Sequence, residues 1–268
     1  MLHIRIGTAL LLIGIVATTL LYAPPWAFQV LVLLAVLFAF AEYNRLALSH
    51  LRGYRLPALL VGMGVATAQS LRLPPLPIDA VLIAALFVLA LVYMYRTTIF
   101  EQFPERLAIA FFGIVYIGLT LPYLGWIRQL DHGRALVGMT LAMVALSDTA
   151  AFAVGKMLGK RKLAALISPK KTLEGFIAGF AGSVAGALAF RAAFYEALPM
   201  WPCVALGLLI GFVAPMGDLV ESAIKRACHV KDSGAMLPGH GGMLDRCDAY
   251  FFSAPVVYYF FTKVMGLE

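Results

Sequence analysis

One segment near the C-terminus, Ser222–Asp248, has a composition unlike that of the apolar chain around it. It contains four Lys or Arg residues, three Asp residues and five Gly or Pro residues. Carboxylates bind divalent cations, Lys and Arg neutralise phosphate oxygens, and glycines let the backbone approach a ligand closely. This mixture indicates phosphate chemistry with a divalent cation, because charges beside membrane-length apolar segments are costly unless they have a function.

Helical spacing brings several polar side chains onto common faces. One face, with members at i, i+3, i+4 and i+7, consists of Asp218, Glu221, Ser222 and Lys225. Asp245 and Asp248 are three residues apart, so both point the same way if a helical turn begins there.

A second polar block is SPKKTLEG, residues 168–175. Its Ser-Pro pair is predicted to form a turn, and Thr172 to cap the helix that follows, with Glu174 in the first turn. A helix N-terminus beside Lys170 and Lys171 suits the binding of a triphosphate.

The third block is the glycine-rich loop PGHGG, Pro238–Gly242. Its glycines permit positive φ and bring backbone N–H groups against a ligand. The three cysteines, Cys203, Cys228 and Cys247, form no paired framework, so structural disulfides are not expected. A zinc site built from Cys228, His229, His240 and Cys247 is disfavoured by the irregular spacing of these residues.

Apolar helices must position these blocks. The chain has 268 residues, of which 62% are hydrophobic and 13% charged, roughly half the charged fraction of a soluble domain. Runs of about 20 apolar residues cross a bilayer, so the sequence predicts an all-α polytopic membrane protein with about nine transmembrane helices. The nine predicted spans are Ile6–Ala23, Trp26–Tyr43, Ala58–Leu71, Ile78–Tyr95, Leu107–Ile127, Ala135–Val154, Leu173–Phe194, Trp201–Arg226 and Ala249–Val264.

With nine spans, the Lys and Arg residues are distributed unequally between the two sides of the membrane. Most of them fall on the side of the N-terminus, which the positive-inside rule places in the cytoplasm. The same rule accounts for the net charge of +7, so nucleic acid is not expected as a partner. Residues 1–134 are predicted to form an N-terminal region of about five spans. Residues 135–268 form the catalytic transmembrane region, with cytoplasmic loops 155–172 and 227–248.

This orientation brings acids from separate segments to one depth near the cytoplasmic ends of their helices. They are Asp148, Glu174, Asp218 and Asp248. Four acids at one level suggest a shared site, whereas an ion-pair cluster that only fixes helix packing is the alternative. Glu42, at the end of the second span, is predicted to be a structural acid of that kind.

Together these motifs resemble those of the membrane phosphatidate cytidylyltransferases, also called CDP-diacylglycerol synthases. The family pattern of Ser, Lys-Arg, Lys-Asp, Pro-x-His-Gly-Gly and Asp-Arg-x-Asp is met by Ser222, Lys225, Arg226, Lys231, Asp232, Pro238, His240, Gly241, Gly242, Asp245, Arg246 and Asp248. Three further segments resemble conserved motifs of the family: Gly217-Asp218, Ser147-Asp148-Thr149 and Ser168-Pro169-Lys170-Lys171-Thr172-x-Glu174-Gly175. The resemblance is strong in the C-terminal half and rests on hydropathy in the N-terminal half. Cys247 and Ala150 depart from the usual family residues without removing a charge.

The resemblance implies transfer of CMP from CTP to phosphatidic acid, which gives CDP-diacylglycerol and pyrophosphate for phospholipid biosynthesis. Mg²⁺ is the implied cofactor, with a second cation such as K⁺. The implied partners are CTP, phosphatidic acid, the lipid bilayer and a second copy of the chain in a homodimer. The implied location is a bacterial-type inner membrane, crossed several times, with the active site on the cytoplasmic side of the C-terminal half.

Residue roles follow from the same resemblance. Asp218 and Asp245 are expected to be the central metal ligands, with Asp248 and Asp148 in or near the coordination sphere. The expected catalytic residues are Asp218, Lys225, Arg226, Asp245, Arg246 and Asp248. The expected substrate-binding residues are Ser168, Lys170, Lys171, Thr172, Glu174, Ser222, Lys231, Asp232, His240, Gly241 and Gly242.

Two other functions use parts of the same sequence. A CTP-dependent lipid kinase would phosphorylate an isoprenoid alcohol and release CDP, but it needs a base for the hydroxyl, which an anionic lipid phosphate does not. A transporter would use the buried acids to conduct ions, but it leaves the glycine-rich loop and the SPKKT block without a role.

Overall fold

The computed structural model describes residues 2–71, 77–234, 236, 239 and 241–267, with residues 2–6 described by their backbone alone. The prediction for His240 lies outside the described residues, as does that for Pro238. The chain divides into two compact units. The first unit comprises Met1–Trp126 and Cys228–Cys247, and the second comprises Ile127–Ala227 and Asp248–Glu268.

The first unit is helical in its described residues. Its helices are α1 (Leu2–Tyr22), α2 (Pro25–Ala47), α3 (Arg52–Leu71), α4 (Ile78–Arg96) and α5 (Phe103–Gly113), with a 3₁₀ turn at Phe100–Gln102 and a π-helical segment at Ile114–Leu119. A further helix, α6 (Tyr123–Gln129), begins directly after Pro122. Pro122 separates α6 from the π-helical segment before it, because its ring has no N–H to continue the preceding helix.

Buried tyrosines hold the helices of the first unit together. The Tyr43 hydroxyl donates to the Ile109 carbonyl at 2.8 Å, and the Tyr93 hydroxyl donates to the Tyr54 carbonyl at 3.1 Å. Each ring buries a large apolar surface while its hydroxyl stays hydrogen-bonded, so neither buried tyrosine leaves an unpaired polar group.

The second unit contains three long helices and one hairpin. They are α7 (Gly133–Leu158), β1 (Lys162–Ala164), β2 (Ser168–Thr172), α8 (Leu173–Phe194) and α9 (Met200–Ala227). The last helix, α10 (Leu244–Tyr259), has its first four residues in the first unit and the rest in the second, and it continues as a π-helical segment at Phe260–Val264. The helical turn predicted at Asp245 and Asp248 is therefore confirmed. The predicted seventh span agrees with α8 at both ends.

Close backbone approach packs α7 against α8 and α8 against α9. A side chain at Gly182 would collide with the carbonyl oxygen of Leu146. A Cβ at Gly207 would lie 2.7 Å from the Cα of Val184. Small residues allow helices in lipid to approach this closely, where van der Waals packing and interhelical hydrogen bonds drive association.

Six helical segments in the described part of the chain are long and apolar enough to cross a membrane. They are Pro25–Ala47, Ile78–Arg96, Phe100–Gln129, Gly133–Leu158, Leu173–Phe194 and Met200–Ala227. The predicted helical, polytopic class is thus confirmed, while the count of nine spans stays a prediction. The three remaining predicted spans correspond to α1, α3 and α10. In α1 the described apolar part is only Gly7–Tyr22, and α10 has only 16 residues before its π-helical end.

Candidate active site

The hairpin between α7 and α8 positions the lysines of the second polar block. Strand β1 pairs antiparallel with β2, so the Ser-Pro pair lies in a strand and the predicted turn at residues 168–169 is wrong. The predicted cap is confirmed, because the Thr172 hydroxyl accepts a hydrogen bond from the Gly175 N–H at 3.2 Å. The strand therefore delivers Lys170 and Lys171 directly to the N-terminus of α8.

A cavity of about 530 Å³ opens beside this helix N-terminus within the second unit. Its volume is within the roughly 300–1,000 Å³ typical of small-molecule sites. The charged residues that line it are Asp148, Lys156, Lys162, Lys170, Lys171 and Asp218. Four lysines against two aspartates favour a polyanionic ligand, and the backbone N–H groups at the start of α8 favour the same charge.

Lys171 and Asp218 form the central contact of this cavity. Lys171 Nζ lies 2.7 Å from Asp218 Oδ2 and donates to the Pro215 carbonyl at 3.3 Å. The second oxygen of Asp218 accepts from the Ser222 hydroxyl at 3.2 Å. The predicted pairing of Asp218 and Ser222 on one helix face is therefore present, and Lys171 from β2 joins them.

Two more carboxylates interact with Asp218. Asp148, on α7, lines the same cavity and interacts electrostatically with both Asp218 and Lys171. Asp248, on α10, interacts electrostatically with Asp218, Asp148 and Lys225. The backbone of α10 passes close to α9 at this point, because a Cβ at Gly217 would lie 2.5 Å from the Asp248 carbonyl oxygen. Three of the four acids predicted at one depth thus belong to a single group.

Glu174, the fourth predicted acid, has a different set of partners. Its carboxylate accepts from the Arg161 Nε at 3.0 Å and from the backbone N–H groups of Lys160 and Arg161 at 3.1 and 3.2 Å. These bonds tie the chain between α7 and β1 to the first turn of α8. In this structure Glu174 organises the hairpin that carries the lysines.

Two basic residues at the end of α9 are also engaged. Lys225 Nζ lies 2.5 Å from Glu221 Oε2, and the Glu221 side chain is fully buried. Arg226 Nε donates to the Ile167 carbonyl at 3.2 Å. Lys225 therefore sits in a nearly buried ion pair, while Arg226 ties α9 to the hairpin.

The glycine-rich loop and Asp245 belong to the first unit. Asp245 Oδ2 accepts from the Gly242 N–H at 2.9 Å and from the Ser233 N–H and hydroxyl at 3.1 and 2.8 Å. Gly239 and Gly241 have φ values of +77° and +80°, which confirms the predicted need for glycine. Asp245 thus organises the loop from inside.

Three predicted residues that flank the glycine-rich loop in the sequence lie at the surface. Lys231, Asp232 and Arg246 are exposed, as expected of groups that bind a ligand from solution. Ser168, by contrast, is half-buried in strand β2.

Comparison with known proteins identifies the family. The model described as "Cytidylyltransferase family" matches residues 3–264, almost the whole chain. The chain belongs to the cytidylyltransferase family. A phosphatidate cytidylyltransferase of Bacillus subtilis (strain 168) is 37% identical over 177 residues, which are 65% of this chain and 66% of the relative.

Two further relatives of this cytidylyltransferase-family chain carry the same name. The phosphatidate cytidylyltransferase of Synechocystis sp. is 44% identical over 153 residues, covering 54% of this chain and 51% of the relative. That of Staphylococcus saprophyticus is 31% identical over 236 residues, covering 85% and 88%. The matches to the Bacillus and Synechocystis proteins thus span about half to two-thirds of those relatives, while the Staphylococcus match spans most of both chains.

The donors at this cytidylyltransferase-family site are chemically suited to Mg²⁺. Asp148, Asp218 and Asp248 supply carboxylate oxygens, which Mg²⁺ prefers, and their mutual repulsion would be offset by a cation. Within the described ranges, no three His, Cys, Asp or Glu side chains are gathered at metal-binding distances. The donor chemistry therefore fits magnesium, although these oxygens do not form a ready coordination sphere.

Two cysteines of the disfavoured zinc set, Cys228 and Cys247, lie among the described residues. Burial raises the pKa of the Cys228 thiol, which disfavours the thiolate that a zinc site needs. Cys247 is buried and forms no disulfide. Cys228 is thus an unfavourable zinc ligand, and the expected absence of a zinc site stays a prediction.

Sequence reasoning missed one contact of the glycine-rich loop. Glu42, predicted to be a structural acid in α2, accepts a hydrogen bond from the Leu244 N–H, and its Oε2 lies 3.2 Å from the Ser233 hydroxyl. The only indication in the sequence was that Glu42 lies at the predicted cytoplasmic end of its span, where the other acids also lie. The partners lie about 200 residues away, and no local pattern connects them.

Proposed function

We propose that this chain transfers CMP from CTP to phosphatidic acid, forming CDP-diacylglycerol and pyrophosphate. Membership of the cytidylyltransferase family and the names of its relatives support this reaction. The observation that carries the proposal is the lysine-lined cavity of the second unit, which has Asp148 and Asp218 in its wall and the capped N-terminus of α8 beside it.

The chemistry needs little from a nucleophilic side chain. A phosphate oxygen of phosphatidic acid attacks the α-phosphorus of CTP, and a new P–O bond forms. The bond from that phosphorus to the oxygen bridging to the β-phosphate breaks, and pyrophosphate leaves with the electron pair. Because the attacking phosphate is already ionised, the protein has to bring two anions together, align them and stabilise the leaving group.

The cavity lysines meet these demands. Lys171, Lys170 and Lys162 would neutralise the phosphates of CTP, and the positive end of the α8 dipole would add to this charge. Asp218 holds Lys171 in place through the 2.7 Å contact. Lys171 must exchange this partner for a phosphate when CTP binds, so Asp218 becomes available at that moment.

The motif residues outside the cavity lining are proposed for the same task. Lys225, Arg226 and Arg246 would contact phosphates, and Lys225 would first have to exchange its contact with Glu221. His240 is proposed to donate a hydrogen bond to the nucleotide or to pyrophosphate, and not to act as a general base. The glycines at positive φ would present backbone N–H groups to the ligand.

Magnesium dependence is part of the proposal. When bound, Mg²⁺ would neutralise phosphate charge and favour departure of pyrophosphate. In the second unit Asp148, Asp218 and Asp248 would hold it. On the Asp-Arg-x-Asp motif alone, Asp245 is proposed as a metal ligand as well. A second cation such as K⁺ is proposed with it.

The membrane arrangement is proposed from charge. Nine spans with a cytoplasmic N-terminus would place the hairpin and the glycine-rich loop on the cytoplasmic side of a bacterial inner membrane. Single-cysteine labelling in a cysteine-free background, at Leu163 and Ala235 against Met200, tests this. Access to Ala235 from the side of Met200 would overturn the arrangement. A homodimer is the proposed assembly, and light scattering of the detergent-solubilised protein measures it.

The reaction is tested with CTP labelled at one phosphate. Purified protein, phosphatidic acid and Mg²⁺ are incubated with CTP that carries the label at the α- or the γ-phosphate. CMP transfer moves the α-label into the lipid and the γ-label into pyrophosphate. A lipid kinase would move the γ-label into a lipid alcohol supplied in place of phosphatidic acid, and that result would refute the proposal.

A further inference from the structure

The carboxylate of Glu42 is buried near the C-terminal end of α2, the end that is predicted to face the cytoplasm. Only 3% of the residue is exposed. Its Oε2 accepts from the Leu244 N–H at 2.9 Å and lies 3.2 Å from the Ser233 hydroxyl. We call Glu42, Ser233, Gly242 and Leu244 the Glu42 clamp. All four residues belong to the first unit.

Leu244 is the first residue of α10, so Glu42 caps this helix from a distant part of the chain. The first N–H groups of a helix have no partner within it, and a carboxylate placed there satisfies a donor and favours the positive end of the helix dipole. The cap fixes the residue at which α10 begins. It therefore fixes the direction in which Asp245, the next residue, leaves the helix.

The loop leaves no room for side chains around this carboxylate. A Cβ at Gly242 would collide with Oε2 of Glu42 and with the Ser233 hydroxyl. A Cβ at Gly234 would lie 2.7 Å from Oε1 of Glu42. Two glycines thus let the backbone close on Glu42 from both sides, which explains why the sequence needs glycine at these points in addition to the positive φ of Gly241.

Ser233 connects the clamp to Asp245. Its hydroxyl lies 3.2 Å from Glu42 Oε2 and 2.8 Å from Asp245 Oδ2, so it is within hydrogen-bonding distance of both carboxylates. The Gly242 N–H also donates to Asp245. Loss of Glu42 would therefore loosen the groups that hold the Asp245 carboxylate in one orientation.

We propose that Glu42 is a positioning residue, which holds the glycine-rich loop and the start of α10 so that Asp245 has a fixed orientation. Its catalytic consequence rests on the proposed function, in which Asp245 takes part in CMP transfer. The clamp itself is a property of the fold and has its own readout.

The test compares Glu42→Ala and Glu42→Gln with a matched control, Gln29→Ala. Gln29 is also a buried polar residue of α2, 6% exposed, and its amide donates to the Ser70 hydroxyl at 2.7 Å. Hydrogen exchange of peptides that cover residues 241–247, measured by mass spectrometry, reports on the clamp. Steady-state kinetics with varied CTP report on catalysis.

We expect Glu42→Ala to speed exchange of the Leu244 amide by about tenfold or more, since a hydrogen bond to a charged group is lost. kcat should fall, and KM for CTP should change much less, because the alignment of the reacting groups is disturbed and not the affinity for the nucleotide. Glu42→Gln should restore most of the protection and activity, since its carbonyl still accepts from Leu244. Gln29→Ala should lower thermal stability with normal exchange in this peptide and normal kcat.

Folded Glu42→Ala with wild-type exchange of the Leu244 amide would overturn the clamp. A fall of kcat in Gln29→Ala equal to that in Glu42→Ala would overturn the positioning role. If Glu42→Ala does not fold, Ser233→Ala decides the question: it removes the connection to Asp245 and keeps the cap at Leu244. A normal kcat in Ser233→Ala overturns the positioning role. Absence of CMP transfer by the wild type would refute the proposed function instead, while the exchange data would still decide the clamp.

Discussion

Replacing Lys171 by alanine tests the cavity that the proposed function depends on. Lys171 lies at the end of β2, and its ammonium is paired with Asp218 at 2.7 Å. Because this lysine is proposed to bind a phosphate of CTP, its removal should weaken nucleotide affinity. It should leave the affinity for the lipid nearly unchanged.

The size of the effect follows from the two partners of Lys171. A hydrogen bond between a charged donor and a phosphate contributes about 1.5–3 kcal/mol. To form it, Lys171 gives up the pair with Asp218. The two side chains are 24% and 34% exposed, so solvent screening limits that pair to roughly 1 kcal/mol. The difference of about 0.5–2 kcal/mol corresponds to a rise of roughly 2- to 30-fold in KM for CTP.

Initial rates in detergent, with each substrate varied at saturating levels of the other, measure this change. The control is Lys160→Ala, which removes the same charge from the chain beside the hairpin, at an exposed position outside the cavity lining. The effect of Lys171→Ala should shrink at high ionic strength, since exposed charges are screened. A change confined to KM for phosphatidic acid, or an equal effect of Lys160→Ala, would refute the assignment.

Three further predictions concern the metal, the packing and the thiol. Asp218→Asn should lower turnover by roughly 100-fold or more, with partial recovery in excess Mg²⁺, because a charge is lost from a hard-cation site. Thermal stability should change little, since the partly exposed pair with Lys171 contributes only roughly 1 kcal/mol; normal turnover at low magnesium would remove Asp218 from the metal site. Gly182→Ala should lower the free energy of unfolding by roughly 1–3 kcal/mol, whereas Gly64→Ala, which has open space around it, should not; equal melting temperatures in detergent would contradict the close approach of α7 and α8. Cys228 should react with maleimide more slowly than glutathione at pH 8, since its pKa is raised and less thiolate is present; labelling at the rate of glutathione, followed by peptide mass spectrometry, would contradict the burial.

Local patterns predicted the elements that carry the site. The apolar run of α8 was predictable from its length. The cap at Thr172 was predictable because a capping hydroxyl and its partner N–H lie within one helical turn. The i, i+4 contact of Asp218 with Ser222 followed from helix geometry alone.

Contacts between distant segments were not predictable in this way. The Ser-Pro pair at residues 168–169 reads locally as a turn, but strand pairing with β1 overrides that preference. Glu174 was expected to bind substrate, yet its three bonds go to Arg161 and Lys160, across the hairpin. Glu42 contacts Ser233 and Leu244 only because the fold brings α2 and the start of α10 together within the first unit.

The most direct test of the central claim is the product stoichiometry of the purified protein with CTP, phosphatidic acid and Mg²⁺. Pyrophosphate is measured enzymatically, and the lipid product and any CDP are measured by mass spectrometry over the same time course. The account predicts equal amounts of pyrophosphate and CDP-diacylglycerol, with no CDP. Release of CDP, or pyrophosphate formed without a cytidylylated lipid, would contradict it.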